Sequence, residues 1–316
     1  MSTSKDLILK HPNNVISNPG YKTGSDKPWA RTFKPIKKVT SHTIVGRDDQ
    51  YHSDFEIGFM ELQNDDRLRF NQQAVPPNNR HWRLETEADC ENWFNTEVVN
   101  VVLSAWHSYP SLTQSSHIKP ISENSIPENI DSVFSIKVGQ QRKTVAIGEI
   151  KRNLLIQDEW QNGTIASPDQ RKLSQELRGY AAKYVCPQVF CFDGAVLVLL
   201  QFRAFRAEDI SDEKCPIDCW TLPIDGSSCS LRYGLYRLLA QGWRRCQAEL
   251  AAPFSIGGLQ PYCREYFNGQ PIWKVNGQKQ RSHPNGYQRG VDQQTGALIW
   301  SHQVYPVEWE TGPFWE

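Results

Sequence analysis

Two short apolar runs separated by Asp193 and Gly194 constrain the fold of this chain more than any other part of the sequence. The runs are Gln188–Phe192 and residues 195–202, and almost all of their residues are apolar. An Asp-Gly pair between such runs is typical of the tight turn of a β-hairpin. A strand that is apolar on both faces is covered on both sides, so we predict that this hairpin lies in the middle of a sheet.

The composition is that of a globular chain with a substantial core. Hydrophobic residues make up 39% of the 316 residues, which is enough for one large domain or two modest ones. No stretch approaches the run of about 20 apolar residues that spans a membrane, and the N-terminal residues lack the apolar segment of a signal peptide. We therefore expect an intracellular protein, in the nucleus or the cytoplasm, with no membrane partner and with its eight cysteines as thiols.

Residue usage divides the chain into three regions. Residues 1–80 are rich in polar and turn-forming residues, which predicts an irregular and partly disordered extension. Residues 81–252 contain the periodic apolar patterns, which predict one domain of the α/β (α+β) class. Residues 253–316 are interrupted by Gly and Pro but rich in aromatic residues, which predicts a loop-rich or β-hairpin appendage packed on that domain. These aromatic residues could instead contact a protein partner, a second copy of the chain or nucleic-acid bases.

A strand predicted over residues 144–151 ends in the charged residues Glu149 and Lys151. Side chains alternate across a strand with a period of two, so both charges point to the face that also carries Val145 and Ile147. An acid beside a lysine in low-dielectric surroundings suits a divalent cation together with a group that orients water or offsets developing negative charge. A plain salt bridge at a strand end is the alternative interpretation, and such pairs are common.

A second carboxylate is predicted beside this pair. Apolar and polar residues alternate from Asp131 to Val138, which predicts a strand. The turn after this strand is short enough for a hairpin with the strand of residues 144–151. Asp131 would then lie at the end of the hairpin where the return strand carries Glu149 and Lys151.

A third carboxylate is predicted on a helix. Thr86 and Asp89 resemble a capping box, and the apolar pattern after them predicts an amphipathic helix to about Trp106. Glu97 falls on the apolar stripe of that helix, three residues after Phe94. Glu97 is therefore predicted to face inward, and the alternative is a residue at the edge of the stripe that reaches water.

A second helix is predicted from an N-cap at Ser167 to about Tyr184. Its apolar stripe leaves Arg171, Gln175 and Arg178 on another face, at helical spacing. Such a row could contact the phosphate backbone of a nucleic acid. An ordinary solvated helix face is the alternative.

The order of these elements resembles the PD-(D/E)XK nuclease superfamily, also called restriction-endonuclease-like. The matching order is the helix with Glu97, the strand with Asp131, the strand ending in Glu149-Ile150-Lys151, the helix after Ser167 and the apolar strand pair. Residues 87–98, Glu-Ala-Asp-Cys-Glu-Asn-Trp-Phe-Asn-Thr-Glu-Val, most resemble the nuclease-like domains of uncharacterised fungal proteins. The resemblance covers about residues 82–205 and implies an αβββαβ core, with a mixed central sheet flanked by helices.

The resemblance also implies a site and a cofactor. Asp131 and Glu149 would be ligands of Mg²⁺ (or Mn²⁺), and Lys151 would position or activate the attacking water. Glu97 would be a further ligand or would support a ligand. Hard oxygen ligands suit Mg²⁺, and phosphodiester hydrolysis needs charge neutralisation and an in-line water. One departure is Ile130, which stands where the proline of the family motif would precede the acid.

The activity implied by the resemblance is that of a metal-dependent nuclease that hydrolyses the phosphodiester bonds of nucleic acid, with DNA favoured. The row of Arg171, Gln175 and Arg178 would then contact the nucleic acid. The family's Gln-x-x-x-Tyr pattern is one residue out of step here, at Gln175 and Tyr180. The alternative is a catalytically silent module that binds a protein or nucleic-acid partner, which the balance of 35 basic and 35 acidic residues favours. A hydrolase that works without a metal would leave Lys151 with no evident task.

Overall fold

The computed structural model describes residues 2–116, 128–138 and 141–314. These residues form a mixed α/β fold built on a seven-stranded mixed sheet, with helices packed on both faces. Within this part of the chain, no helix is long and apolar enough to cross a membrane. The eight cysteines are unpaired, which confirms the prediction of free thiols.

The helices in the described residues are mostly short. In chain order they are α1 (Ser4–Ile8), α2 (Asn64–Phe70), α3 (Glu87–Phe94), α4 (Asn100–Ser104), α5 (Gln157–Gln161), α6 (Pro168–Lys183) and α7 (Leu231–Glu249). A π-helical turn, Asn95–Val99, joins α3 to α4, so the helix predicted to run to about Trp106 is continuous from Glu87 to Ser104. Two 3₁₀ turns are Pro28–Thr32 and Ala207–Ser211.

The strands fall into one large sheet and several small ones. In chain order they are β1 (Ser2–Thr3), β2 (Val15–Ser17), β3 (Thr40–Ser41), β4 (Thr43–Val45), β5 (Tyr51–Ser53), β6 (Gln73–Ala74), β7 (His81–Arg83), β8 (Leu112–Ser115), β9 (Ser132–Val138), β10 (Gln141–Ile150), β11 (Gln188–Phe192), β12 (Val196–Phe202), β13 (Ile217–Pro223), β14 (Cys263–Arg264), β15 (Pro271–Val275), β16 (Gln278–Gln280), β17 (Gln288–Val291), β18 (Leu298–Ser301) and β19 (Glu308–Trp309).

The large sheet has the strand order β3-β13-β12-β11-β10-β9-β8. β11 and β12 pair antiparallel near its centre, which confirms the hairpin predicted from the two apolar runs. β9 and β10 also pair antiparallel, as predicted, although β10 begins at Gln141, before the predicted start. β10 is parallel to β11, and β13 is parallel to β3, so the sheet is mixed.

The alternation of side chains along β11 divides the core between the two faces of the sheet. Phe190 and Phe192 lie on the face covered by α3 and α7, where the ring of Trp93 stacks on Phe192 at 5.3 Å. Val189 and Cys191 lie on the opposite face, beneath α6. Because helices cover both faces, an apolar side chain is stabilised at each position of the strand.

α7 approaches closely the strand that carries Glu149. A Cβ atom on Gly242 would stand 2.1 Å from the backbone oxygen of Val145 in β10, so only glycine fits at this position. We expect Gly242→Ala to lower the free energy of unfolding by about 1–3 kcal/mol, because the helix must move off the strand.

Gly234 in the same helix provides the matched control. A Cβ atom there would meet the side chain of Leu222 at 3.0 Å, and that side chain can yield. The gain of about 1 kcal/mol in helix propensity should offset this crowding, so Gly234→Ala should unfold close to wild type. Urea unfolding of the two variants measures the difference, and equal stabilities would contradict the close approach.

Residues 2–80 contain only short elements, but they pack into the molecule, whereas the sequence predicts a partly disordered extension. Leu7, Phe59 and Phe70 lie in the same core as α3 and α7. α2 is also tied to α7, because Arg244 of α7 forms a buried ion pair with Asp65. The apolar residues of this region are widely spaced and follow neither a helical nor a strand period, so the pattern does not reveal their burial.

Residues 253–314 form two three-stranded antiparallel sheets, β14-β15-β16 and β17-β18-β19. Trp273 and Trp300 are buried in this region, with their rings edge to face at 5.5 Å. The ring of Phe314 lies 5.1 Å from Trp243 of α7. Aromatic residues of the region therefore pack among themselves and against the core, and their use in contact with a partner stays a prediction.

Candidate metal centre

The hairpin of β9 and β10 brings Asp131 next to the end of β10. Asp131 directly precedes β9, and its Oδ2 accepts a hydrogen bond of 2.6 Å from the backbone N–H of Ile150. Ile150 stands between Glu149 and Lys151. The structure therefore brings together Asp131, Glu149 and Lys151, which the sequence predicts at one site.

Glu87, in the first turn of α3, forms a cluster of three carboxylates with Asp131 and Glu149. One oxygen atom from each of the three lies within 4.8 Å of the others. Two oxygen ligands on opposite sides of a cation are about 4 Å apart for Mg²⁺ and about 5 Å apart for Ca²⁺, so the cluster has the dimensions of a cation site. Glu149 is buried, whereas Glu87 and Asp131 are half-buried, so solvent reaches one side of the cluster.

Glu149 has one oxygen atom without a partner. Its Oε1 accepts a hydrogen bond from Nζ of Lys151. Its Oε2 is buried and has no hydrogen-bond partner among the described residues. Leaving a buried polar atom unsatisfied costs about 1–3 kcal/mol, and more when the group is charged. A cation would supply the missing interaction, so this all-oxygen donor set fits Mg²⁺ or Mn²⁺.

Lys151 is buried among carboxylates at the end of β10. Its Nζ donates a hydrogen bond to Glu149, lies 3.3 Å from Oε1 of Glu176 in α6, and lies 3.9 Å from Oε1 of Glu87. Burial opposes the charge of the ammonium group, but Glu149 and Glu176 outweigh it and raise the pKa of Lys151. Lys151 is therefore a stable cation and a hydrogen-bond donor, and it is poorly suited to accept a proton.

Carboxylates outnumber ammonium groups around Lys151. Burial raises the pKa of Glu149 well above its ordinary value, Asp131 and Glu176 raise it further, and Lys151 opposes the shift. Besides burial, the like charges of Asp131 and Glu176 therefore contribute to the shift. A divalent cation would relieve the repulsion and stabilise the ionised form of Glu149.

Glu87 and Glu176 belong to the centre, but the sequence prediction missed both. The signal is present in the helical period: Glu87 lies seven residues before Phe94, on the same stripe. Glu176 lies three residues after Leu173 and four before Tyr180, both of which are buried. A carboxylate on an apolar stripe therefore marks both residues.

The structure does not bring Glu97 to this centre. Glu97 faces inward, as the stripe predicts, and is completely buried. Its Oε1 accepts hydrogen bonds of 2.7 Å from Asn14 and 2.9 Å from Trp82, and its Oε2 lies 3.8 Å from the guanidinium group of Arg232. Ten residues of helix separate Glu97 from Glu87, which is about 15 Å along the axis. Its role is to hold β7 and the N-terminal region against α7.

The row predicted to contact nucleic acid on α6 is largely covered. Arg171 is exposed. Nε2 of Gln175 donates a 2.9 Å hydrogen bond to the backbone oxygen of Phe33. Arg178 is buried and donates hydrogen bonds to the backbone oxygens of Ile210 and Asp212. Gln175 and Arg178 therefore attach neighbouring segments to α6, which argues against a free nucleic-acid-binding face here.

Comparison with known protein families, with curated proteins and with solved structures finds no match to this chain. The centre is therefore defined by its own residues: the cluster of Glu87, Asp131 and Glu149, with Lys151 and Glu176 beside it.

Proposed function

We propose that the protein is a metal-dependent nuclease of the PD-(D/E)XK type, which hydrolyses phosphodiester bonds of nucleic acid, with DNA favoured. The observation that carries the proposal is the unpartnered, buried Oε2 of Glu149. It belongs to a cluster with Glu87 and Asp131 that has the dimensions of a cation site, and Lys151 lies in contact with Glu149. Carboxylates with an adjacent lysine suit phosphodiester hydrolysis, which needs charge neutralisation and a positioned water.

The order of elements supports the same proposal. α3 and α4 precede three successive antiparallel strands, β8, β9 and β10. α6 then crosses to β11, which lies parallel to β10. This order agrees with the restriction-endonuclease-like αβββαβ core that the sequence resemblance implies.

Each residue of the centre has a task in this proposal. A bound Mg²⁺ or Mn²⁺ would supply Lewis-acid polarisation of the phosphate and a nucleophile at neutral pH. Glu87, Asp131 and Glu149 would hold the cation through carboxylate oxygens. Lys151, protonated, would donate a hydrogen bond to the attacking water or to a phosphate oxygen, where negative charge develops. Glu176 would hold the ammonium group in place.

The direct test is an assay of the purified protein on single- and double-stranded DNA and on RNA, with Mg²⁺, with Mn²⁺ and with a chelator. We expect cleavage with either metal and none with the chelator. A folded wild-type protein that cleaves none of these substrates with either metal would refute the proposal of a nuclease.

One observation favours the catalytically silent module as a second candidate. Glu149 and Lys151 are each 2% exposed. An N-terminal segment, residues 18–25, lies against the end of β10: Thr23 exchanges hydrogen bonds with Arg152, and Ser25 donates a hydrogen bond to Glu176. A silent module would bind Mn²⁺ in calorimetry but leave all substrates intact.

The silent module would act through a partner. Tyr305 and Trp309 in the C-terminal region are about half exposed and could contact a protein or a second copy of the chain. In either case the free cysteines agree with a reducing compartment, and we place the protein inside the cell, in the nucleus or the cytoplasm.

A further inference from the structure

Arg152, the residue after Lys151, is a buried cation without an ionic partner. Its side chain is 6% exposed, and it forms no ion pair within residues 2–116, 128–138 and 141–314. Both Nε and Nη2 are buried and have no hydrogen-bond partner in that part of the chain. Guanidinium groups are rarely buried unless paired, because desolvation of the charge is costly. The two free donors therefore indicate a binding position for an anion.

The surroundings of Arg152 place this position beside the candidate metal centre. Arg152 directly follows Lys151 in the chain. The guanidinium group of Arg152 interacts electrostatically with Asp89 and Cys90 in the first turns of α3. The same end of α3 carries Glu87. Asp89 does not pair with the guanidinium group, because its carboxylate accepts hydrogen bonds from Thr86 in the helix cap.

The backbone of Arg152 is fixed, whereas the aromatic ring that covers its side chain is exposed to solvent. Its N–H donates a 3.0 Å hydrogen bond to Oγ1 of Thr23, and its carbonyl oxygen accepts one of 3.0 Å from the N–H of Thr23. The ring of Tyr21 lies over the guanidinium group at 4.7 Å and is itself 59% exposed. The backbone oxygen of Tyr21 accepts a 2.8 Å hydrogen bond from Nδ2 of Asn153, so the backbone stays in place and only the exposed ring must rotate to uncover the guanidinium group.

We infer that Arg152 binds a backbone phosphate of the nucleic-acid substrate next to the metal centre, an inference that rests on the proposed function. The planar fork of Nε and Nη2 matches two oxygens of one phosphate, and such bidentate pairs are strong and directional. The carboxylates of Glu87, Asp131 and Glu149 repel any anion, so we expect phosphate to bind at Arg152 only when a cation occupies the metal centre. A phosphate held by Arg152 would fix the register of the strand relative to the cation.

The test compares wild type, Arg152→Gln and Arg152→Lys for binding of a short single-stranded DNA oligonucleotide by fluorescence anisotropy. Ca²⁺ replaces Mg²⁺, because it accepts oxygen ligands with a looser geometry and so slows turnover. Arg152→Gln should weaken binding about 10- to 100-fold, the effect of losing a hydrogen bond to a charged group. The slope of log affinity against log salt concentration should fall by about 0.7, the value for one single-strand phosphate contact.

Arg152→Lys keeps the charge but loses the fork. It should retain the wild-type salt slope and recover only part of the affinity. Full wild-type affinity in Arg152→Lys would overturn bidentate binding, and this variant decides the question if Arg152→Gln does not fold. Wild-type affinity and slope in a folded Arg152→Gln would overturn the inference as a whole.

Arg80→Gln is the matched control. Arg80 lies over the ring of Trp82 at the same 4.7 Å, but it is exposed. We expect no change in affinity or slope for this variant, and an effect equal to that of Arg152→Gln would overturn the assignment to Arg152.

Two further results separate the possible failures. Inorganic phosphate should compete with the oligonucleotide only weakly, and displacement at micromolar phosphate would indicate a site for free phosphate and overturn the assignment to a nucleic-acid backbone. Failure of the proposed function has a different signature: wild type would cleave nothing with Mg²⁺ or Mn²⁺. If wild type cleaves normally but Arg152→Gln binds the oligonucleotide as tightly as wild type does, only the inference about Arg152 is refuted.

Discussion

Glu149→Gln is expected to abolish Mn²⁺ binding in calorimetry and to lower the rate of DNA cleavage by about three orders of magnitude. The change keeps the size of the side chain but removes the charge whose Oε2 lacks a partner. A bound cation contributes several kcal/mol to transition-state stabilisation, and each 1.4 kcal/mol corresponds to about a factor of ten in rate. The measurements are titration calorimetry with Mn²⁺ and cleavage under single-turnover conditions.

Glu97→Gln is the control for this prediction. Glu97 is also a completely buried glutamate, and its Oε2 also accepts no hydrogen bond from the described residues, but Asn14 and Trp82 donate to its Oε1 and the guanidinium group of Arg232 lies 3.8 Å from its Oε2. We expect the Glu97→Gln variant to retain its affinity for Mn²⁺. Its free energy of unfolding should fall, because the buried charge of Arg232 loses its ionic partner. Loss of Mn²⁺ binding in Glu97→Gln, with binding intact in Glu149→Gln, would show that the metal centre is placed wrongly.

Lys151→Ala is expected to separate metal binding from cleavage. The ammonium group repels a cation, so its removal should leave Mn²⁺ affinity unchanged or increased. Cleavage should fall by about 100- to 1000-fold, the effect of removing a donor that stabilises developing negative charge. Calorimetry and single-turnover rates on the same preparation give both quantities.

Lys37→Ala is the matched control for Lys151→Ala. Lys37 also pairs with a glutamate, with its Nζ 2.6 Å from Glu213, but both side chains are exposed. It should leave metal binding and cleavage unchanged. Undiminished cleavage in a folded Lys151→Ala would exclude a catalytic task for Lys151 and leave it as the structural partner of Glu149 and Glu176.

The parts of the fold that the sequence predicted are those with a strong local period. β11 and β12 are continuous apolar runs around an Asp-Gly turn, and local chemistry alone indicates the hairpin. Glu149 and Lys151 follow from the period of two along the end of β10, although a bulge between Thr144 and Ala146 places Val145 on the opposite face from Ile147. Asp131 required one further step, the short turn that pairs β9 with β10.

The errors arise where local period carries no information. A helical stripe gives the angle of a side chain around the axis but not which end of the helix faces a site, so the pattern points to Glu97 and does not single out Glu87. Arg178 lies on a polar row of α6, and only the long-range contacts with Ile210 and Asp212 bury it. The same limitation applies to Leu7, whose burial depends on elements far along the chain.

The hydrogen bond between Ser25 and Glu176 joins residues that are 151 positions apart in the chain. At a synthesis rate of about 5–20 residues per second, Glu176 emerges roughly 8 to 30 s after Ser25. Residues 18–25 are therefore made before α6 and must wait for their partner. Residues 18–25 can therefore dock against the metal centre only after α6 has been synthesised, so the covering of the centre is a late step in the folding of this chain.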